Sequence, residues 1–343
     1  MTVTALMQDE TPRAATDAPL LDVRGLVTEF RSRSATVVAN ASVSLQVPRG
    51  RTVGIVGESG SGKSVLCRSI LRLLPSPPAR IAGGEVWFEG RDLLTLGVRE
   101  MAQVRGTRLR MIFQNPMTSL NPVWPIGDQI TEGLRVHYGL SGHAARQRGL
   151  ELLQQVGIPS PESRFDDYPF QWSGGMLQRA VIAMAMAGEP SLLLADEPTT
   201  ALDVTIQDQI LALLVDLQER TQMAMVLVSH DLAVIAETSD IVAVMYAGRV
   251  MEVAPVKALF EQPLHPYTVG LLASTPHAET TDRLESIPGQ PPSLSQRTVG
   301  CPFAERCRFA SKDCHDTPVT LREMVDGHAS ACLFPERIGR AGA

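Results

Sequence analysis

Eight residues, Gly57-Glu58-Ser59-Gly60-Ser61-Gly62-Lys63-Ser64, carry the spacing G-x-x-x-x-G-K-S of a phosphate-binding Walker A loop. Glycines there let backbone N–H groups turn inward onto an anion, and a helix opening at the loop's end adds the positive end of its dipole. Lys63 is placed to reach the β- and γ-phosphates, and the Ser64 hydroxyl to ligate Mg²⁺. Downstream, the apolar run Leu192-Leu193-Leu194-Ala195 ends in Asp196-Glu197. A carboxylate at a strand's end can hold the hydration shell of Mg²⁺, which is Asp196's expected part, and its neighbour Glu197 can orient or deprotonate an attacking water. Two further polar residues end apolar runs: Gln114 after Arg108–Phe113, placed to touch a metal or a water, and His230 after Met225–Val228 and Ser229. Singly, Gln114 reads as an ordinary strand-ending amide and His230 as a structural histidine. Together they matter, because strand ends of an open α/β sheet converge on the ligand crevice.

The elements that would position these groups are legible from periodicity. Thr52–Val56 reads as a buried strand, and Val65, Leu66, Ile70 and Leu73 form a helical stripe that stops at Pro75. Leu20–Phe30 and Val37–Val47 read as strands joined by the polar turn 31–34, and Gly83–Gly90 as another. Phe30 precedes the phosphate loop, where an aromatic could stack on adenine or simply fill a core. The pattern turns helical and polar from Ile126 to Val156, with a loop over Pro159–Pro169. Ser173-Gly174-Gly175 opens the next helix, equally readable as an anion site or as an N-cap with flexible glycines. Asp203 precedes a helix with Ile206, Ile210, Leu213, Leu214 and Leu217 on one face.

Composition bounds the function. The 343 residues are 44% hydrophobic and 20% charged with a net charge of −6, an ordinary globular balance that argues against a nucleic-acid surface built on bulk positive charge. No apolar run reaches the eighteen or so residues that span a bilayer, and no signal-peptide pattern opens the chain, so a cytosolic location is expected. Residues 1–19 lack periodicity and read as a disordered tail.

With Gly57–Ser64, Gln114, Ser173–Gly175, Asp196-Glu197, Asp203 and His230 in this order, the sequence resembles the nucleotide-binding subunit of ABC transporters over 20–262. The resemblance implies an α/β P-loop NTPase of ABC type, with a mixed-sheet core, an antiparallel β portion and a helical subdomain over about 115–188. It further implies two such domains paired head to tail, ATP lying between the Walker A loop of one and the Ser-Gly-Gly signature of the other. In that pairing Glu197 is the general base, His230 contacts the γ-phosphate, Gln114 senses nucleotide, Asp203 lies in a loop crossing the interface, and Phe30 matches the adenine-stacking aromatic. The signature carries Trp172 and Met176 where leucine and glutamine are common; methionine there resembles the peptide-importer branch.

Residues 263–343 form an extension. Gln262-Pro263-Leu264-His265-Pro266-Tyr267-Thr268 resembles the C-terminal segment of oligopeptide, dipeptide and nickel importer ATPases. The implied function is ATP hydrolysis driving peptide uptake at the cytoplasmic face of the cell membrane. The implied partners are two membrane permeases, a second ATPase, which would make a heterodimer, and an extracytoplasmic binding protein, with no nucleic acid. A soluble ABC-type ATPase acting on nucleic acid is the rival reading. Cys301, Cys307, Cys314 and Cys332 follow with spacing C-x₅-C-x₆-C-x₁₇-C. Without close C-x₂-C pairs, four thiolates suit an iron–sulfur cluster, which the resemblance supports as [4Fe–4S]; structural Zn²⁺ or free thiols are the alternatives. His315 and His328 are spare donors expected at the surface, and Cys67 is expected as a buried small hydrophobe.

Overall fold

The computed structural model describes residues 18–33, 35–200, 202–275, 286–295 and 298–338. The expected disordered tail lies almost wholly outside these residues.

The chain begins with β1 (Leu21–Arg31) and β2 (Thr36–Val47), paired antiparallel with Leu21 opposite Val47 and Phe30 opposite Val37. β3 (Thr52–Val56) is buried at all five positions and feeds the glycine loop and α1 (Lys63–Ile70). β4 (Ala79–Phe88) starts earlier than the Gly83 of the sequence reading, because Ala79 and Arg80 pair with Phe30 and Glu29. With β5 (Arg91–Asp92) it completes a four-stranded sheet in the order β2-β1-β4-β5.

α2 (Val98–Thr107) and β6 (Leu109–Ile112) lead into a helical region of α3 (Pro116–Ser119), α4 (Ile126–Tyr138), α5 (Gly142–Gln155), α6 (Pro161–Arg164) and α7 (Gly174–Met186). The helical stretch over Ile126–Val156 resolves into two helices. Gly139, at φ 64°, ends α4 in the left-handed conformation that glycine adopts freely, and the Ser141 hydroxyl restarts the helix by accepting from Ala144 N–H. Ile130, Leu153, Phe165, Trp172, Leu177 and Ile182 share one apolar core.

The remaining elements are β7 (Leu192–Asp196), α8 (Val204–Thr221), β8 (Ala224–Val228), α9 (Leu232–Thr238), β9 (Ile241–Tyr246), β10 (Arg249–Pro255), α10 (Val256–Glu261), α11 (Pro266–Ala273), α12 (Lys312–Asp316), β11 (Arg322–Val325) and β12 (His328–Ser330). The second sheet runs β11-β12-β10-β9-β3-β8-β7-β6, parallel from β9 to β6 and antiparallel beyond. β3, β7 and β8 are buried at every position, which is why they read as continuous apolar runs without alternation. The sequence reading assigned no strands to 241–255 or to the extension. Yet β12 pairs with β10, Glu252 opposite Ser330, so the extension continues the main sheet. Among the described residues, no helix is long and apolar enough to cross a membrane.

Candidate nucleotide site

The glycine loop leaves β3 in a conformation that side chains would forbid. At Gly57 (φ 151°) a Cβ would fall 2.0 Å from the carbonyl oxygen of Met245, and at Gly62 (φ 99°) 2.4 Å from that of Ala39. The loop is therefore wedged between β9 and β2, while Ser59 and Gly60 stand exposed at its tip. Lys63 opens α1 with its ammonium buried, donating to the carbonyls of Gly57 at 2.7 Å and Glu58 at 3.1 Å and reaching Ser61 Oγ at 3.4 Å. Burial pulls its pKa below the lysine range, opposed by the charges of Glu197, Asp196 and Glu58. A buried ammonium within a glycine loop at the start of a helix can serve as a phosphate site.

Asp196 ends β7 fully buried. Its Oδ1 accepts from Ser64 Oγ at 2.7 Å, whereas Oδ2 has no hydrogen-bond partner, the Arg68 guanidinium standing 3.9 Å away. Burial raises its pKa above the usual carboxylate range, ahead of the opposing Ser64 bond. An orphaned buried carboxylate oxygen beside a serine hydroxyl fits Mg²⁺ held through Ser64 and the metal's water shell.

Glu197 follows in the left-handed region at φ 47°, an unusual conformation for a side-chain-bearing residue that concentrates at functional sites. Its Oε2 accepts from Gln114 Nε2 at 2.9 Å and Thr200 Oγ1 at 2.9 Å, and His230 Nδ1 stands 3.6 Å off. Glu197 is largely covered and His230 mostly exposed. Three strand ends thus deliver Gln114, Glu197 and His230 to one point. Thr200 belongs to this group as well, and its place within Pro198-Thr199-Thr200 gave no chemical signal.

The structure gives Ser173, Gly174, Gly175, Asp203 and Phe30 other surroundings. Ser173 caps α7 by accepting from Met176 N–H at 3.4 Å, and Asp203 caps α8 by accepting from Ile206 N–H at 3.0 Å. A Cβ at Gly175 would lie 2.9 Å from Ile206 Cγ2 and one at Gly174 3.6 Å from Leu202 Cδ2, so the start of α7 packs on the start of α8. Among the described residues, no hydrogen bond joins Ser173–Gly175 to the glycine loop. Phe30 is half-buried near the end of β1, between Val37 and Ala79 on its neighbouring strands.

A family profile described as ABC transporter matches residues 41–200, and one described as oligopeptide/dipeptide transporter, C-terminal region, matches residues 251–314. A probable peptide ABC transporter ATP-binding protein of Sinorhizobium fredii is 52% identical over 91% of this chain and 94% of its own length. The chain belongs to the ABC transporter ATP-binding family. The oligopeptide transport ATP-binding protein OppD of Bacillus subtilis is 48% identical over 90% of this chain and 87% of its own length. A solved dimeric ATP-binding cassette, MJ0796 in a post-hydrolysis state bound to ADP and Pi, superimposes with a TM-score of 0.62 at 28% identity, covering 69% of this chain and 98% of that one.

In this ABC ATPase the fold class expected from the sequence holds, and the extension is part of the cassette's own core. Tyr267 and Phe303 are buried against Tyr246. Cys301, Cys307, Cys314 and Cys332 line one small cavity with His265, Phe303 and Phe309. Burial pushes the Cys301 thiol up to about 12 and Cys332 up to about 11, and raises Cys307. Among the described residues, no three Cys, His, Asp or Glu side chains are grouped so as to hold a metal ion. His328 corrects the sequence reading: it is buried, with Nε2 2.7 Å from Glu252 Oε1, because β12 carries it into the sheet. His315 is exposed as expected, and Cys67 is fully buried.

Proposed function

We propose that this ABC ATPase energises import of short peptides, as one of two ATP-binding subunits on the cytoplasmic face of a pair of membrane permeases fed by an extracytoplasmic binding protein. The observation that carries the ATPase chemistry is the meeting of Gln114, Glu197 and His230 beside Lys63, Ser64 and Asp196. The peptide class is supported by the C-terminal region match and by the relatives' names.

In this reading the N–H groups of the loop that are not used within the fold and the Lys63 ammonium bind the phosphates, Lys63 exchanging loop carbonyls for phosphate oxygens. Ser64, Gln114 and Asp196 are the residues that would hold Mg²⁺, which would supply positive charge at the phosphates. Glu197 holds the attacking water and takes its proton. His230 hydrogen-bonds the γ-phosphate, and Phe30 stacks on adenine. The signature Ser173-Gly174-Gly175 closes on the nucleotide of the partner subunit, with Asp203 at the same interface. Its separation from this chain's own loop supports that arrangement, as does the dimeric form of the related cassette. A groove lined by apolar residues such as Leu71, Phe113 and Met184 and by charged ones such as Arg105 and Glu132 reaches Phe113, the neighbour of Gln114 in the chain, a seat for a permease segment whose movement Gln114 would feel.

For the cysteines we favour a [4Fe–4S] cluster. Four thiols around one apolar-walled cavity support it. Cys301, Cys307, Cys314 and Cys332 would be its ligands.

Tagging the chain in its host and solubilising the membranes tests the transport reading. Recovery of two multi-spanning proteins with a second ATP-binding subunit is the expected result. Recovery of soluble proteins or nucleic acid alone overturns it.

A further inference from the structure

The turn between Cys301 and Cys307 reaches the glycine loop directly. Arg306, whose side chain is only 7% exposed, points its Nη1 at both carboxylate oxygens of Glu58, at 3.1 and 3.0 Å, and at the Tyr246 hydroxyl at 3.0 Å. Its Nε donates to the Pro288 carbonyl at 2.8 Å, which fixes the guanidinium from its other side. Its plane lies near the rings of Tyr246 and Phe303, 5.7 and 5.9 Å from their centroids. Tyr267 of α11 adds a second brace, its hydroxyl oxygen accepting from Glu58 N–H at 2.9 Å. Glu58 is thus held through side chain and backbone by two residues of the extension, and its own carbonyl accepts from Lys63.

We propose that Arg306, with Tyr267, is a positioning residue for the nucleotide site: the cysteine-bearing extension sets ATP affinity by neutralising and holding Glu58 in the phosphate loop. The inference deepens the ATP reading of that site and is independent of peptide transport. Its physical basis is charge. Glu58 is a carboxylate inside a loop built to take a polyanion, and its charge already reaches Lys63. Paired with a buried guanidinium, it is close to electrically silent at the phosphates. Unpaired, it repels them and competes for Lys63. Glu197, Gln114 and His230 do not touch Arg306, so the effect falls on binding more than on the chemical step.

The test titrates the full chain with Mg²⁺ and adenylyl imidodiphosphate by calorimetry and measures KM and kcat for ATP in the assembled transporter. Binding by the unmodified chain is the control: its failure would sink the ATP reading itself and leave the role of Arg306 a separate matter. Arg306→Ala should weaken binding by about tenfold and raise KM in step while kcat falls far less. Arg306→Lys should recover part of the loss. Glu58→Gln combined with Arg306→Ala should bind more tightly than Arg306→Ala alone, which a merely structural arginine would not produce. Should Arg306→Ala fail to fold, as judged by thermal unfolding, Tyr267→Phe removes the hydroxyl alone and should still weaken binding by about threefold. Wild-type affinity in folded Arg306→Ala, a double variant no better than the single, or a loss confined to kcat would each overturn the proposal.

Discussion

Glu197 is approached through a single oxygen by an amide, a hydroxyl and an imidazole, and it sits on a backbone turned into the left-handed region. The hydrogen bonds from Gln114 and Thr200 fix the direction of the carboxylate. On the proposed role of Glu197 as base, replacing it while keeping its shape should remove chemistry and spare binding. Glu197→Gln is expected to lower steady-state ATP hydrolysis by about 10²–10⁴-fold with ATP still bound, and retention of more than about a tenth of the wild-type rate would remove Glu197 from the role of base.

At the scale of elements, the junction of β10, α11 and β12 rests on one buried carboxylate. Glu252 is fully buried and accepts from Leu264 N–H at 2.6 Å, His265 N–H at 2.9 Å, the Thr268 hydroxyl and His328 Nε2 at 2.7 Å. Three of these donors lie at the start of α11 and the fourth in β12, so this one side chain caps α11 and pins β12. Glu252→Ala would leave all of them without an acceptor. Leaving buried donors without an acceptor costs about 1–3 kcal/mol each, so a lower midpoint in thermal unfolding is expected, with Glu252→Gln losing less because its amide oxygen still accepts. Equal midpoints for Glu252→Ala and the wild-type chain would show that the junction does not hold the extension.

For the whole molecule, the extension is an outer part of the main sheet and a wall of the nucleotide site at once. Cys301 and Cys307 flank the turn that carries Arg306, so the cysteine cavity and the brace on the phosphate loop share one segment. The cluster proposed for the four cysteines predicts that anaerobically purified chain holds about four iron atoms and shows broad visible absorbance, both lost when Cys307 is replaced by serine. Iron-free protein with zinc bound in their place, or with no metal at all, would count against the cluster.

The local chemistry was legible in the sequence because it depends on short spacing. Gly57, Gly62, Lys63 and Ser64 act within one strand–loop–helix unit, and Asp196-Glu197 needs only an apolar run to mark a strand end. The parallel strands were readable for the same reason, since burial on both faces leaves unbroken apolar stretches. Contacts between parts distant in the chain were not readable. His328 looked like a surface residue because nothing near it in the chain shows that β12 pairs with β10, 76 residues away from the Glu252 it meets. Arg306 and Glu58 are 248 residues apart, and an arginine between two cysteines carries no local mark of an acidic partner. Periodicity and motif spacing report what a segment can do by itself. Which charge meets which, and which wall closes the phosphate site, was decided by the packing of the extension on the cassette, because burial and pairing are properties of the folded chain as a whole.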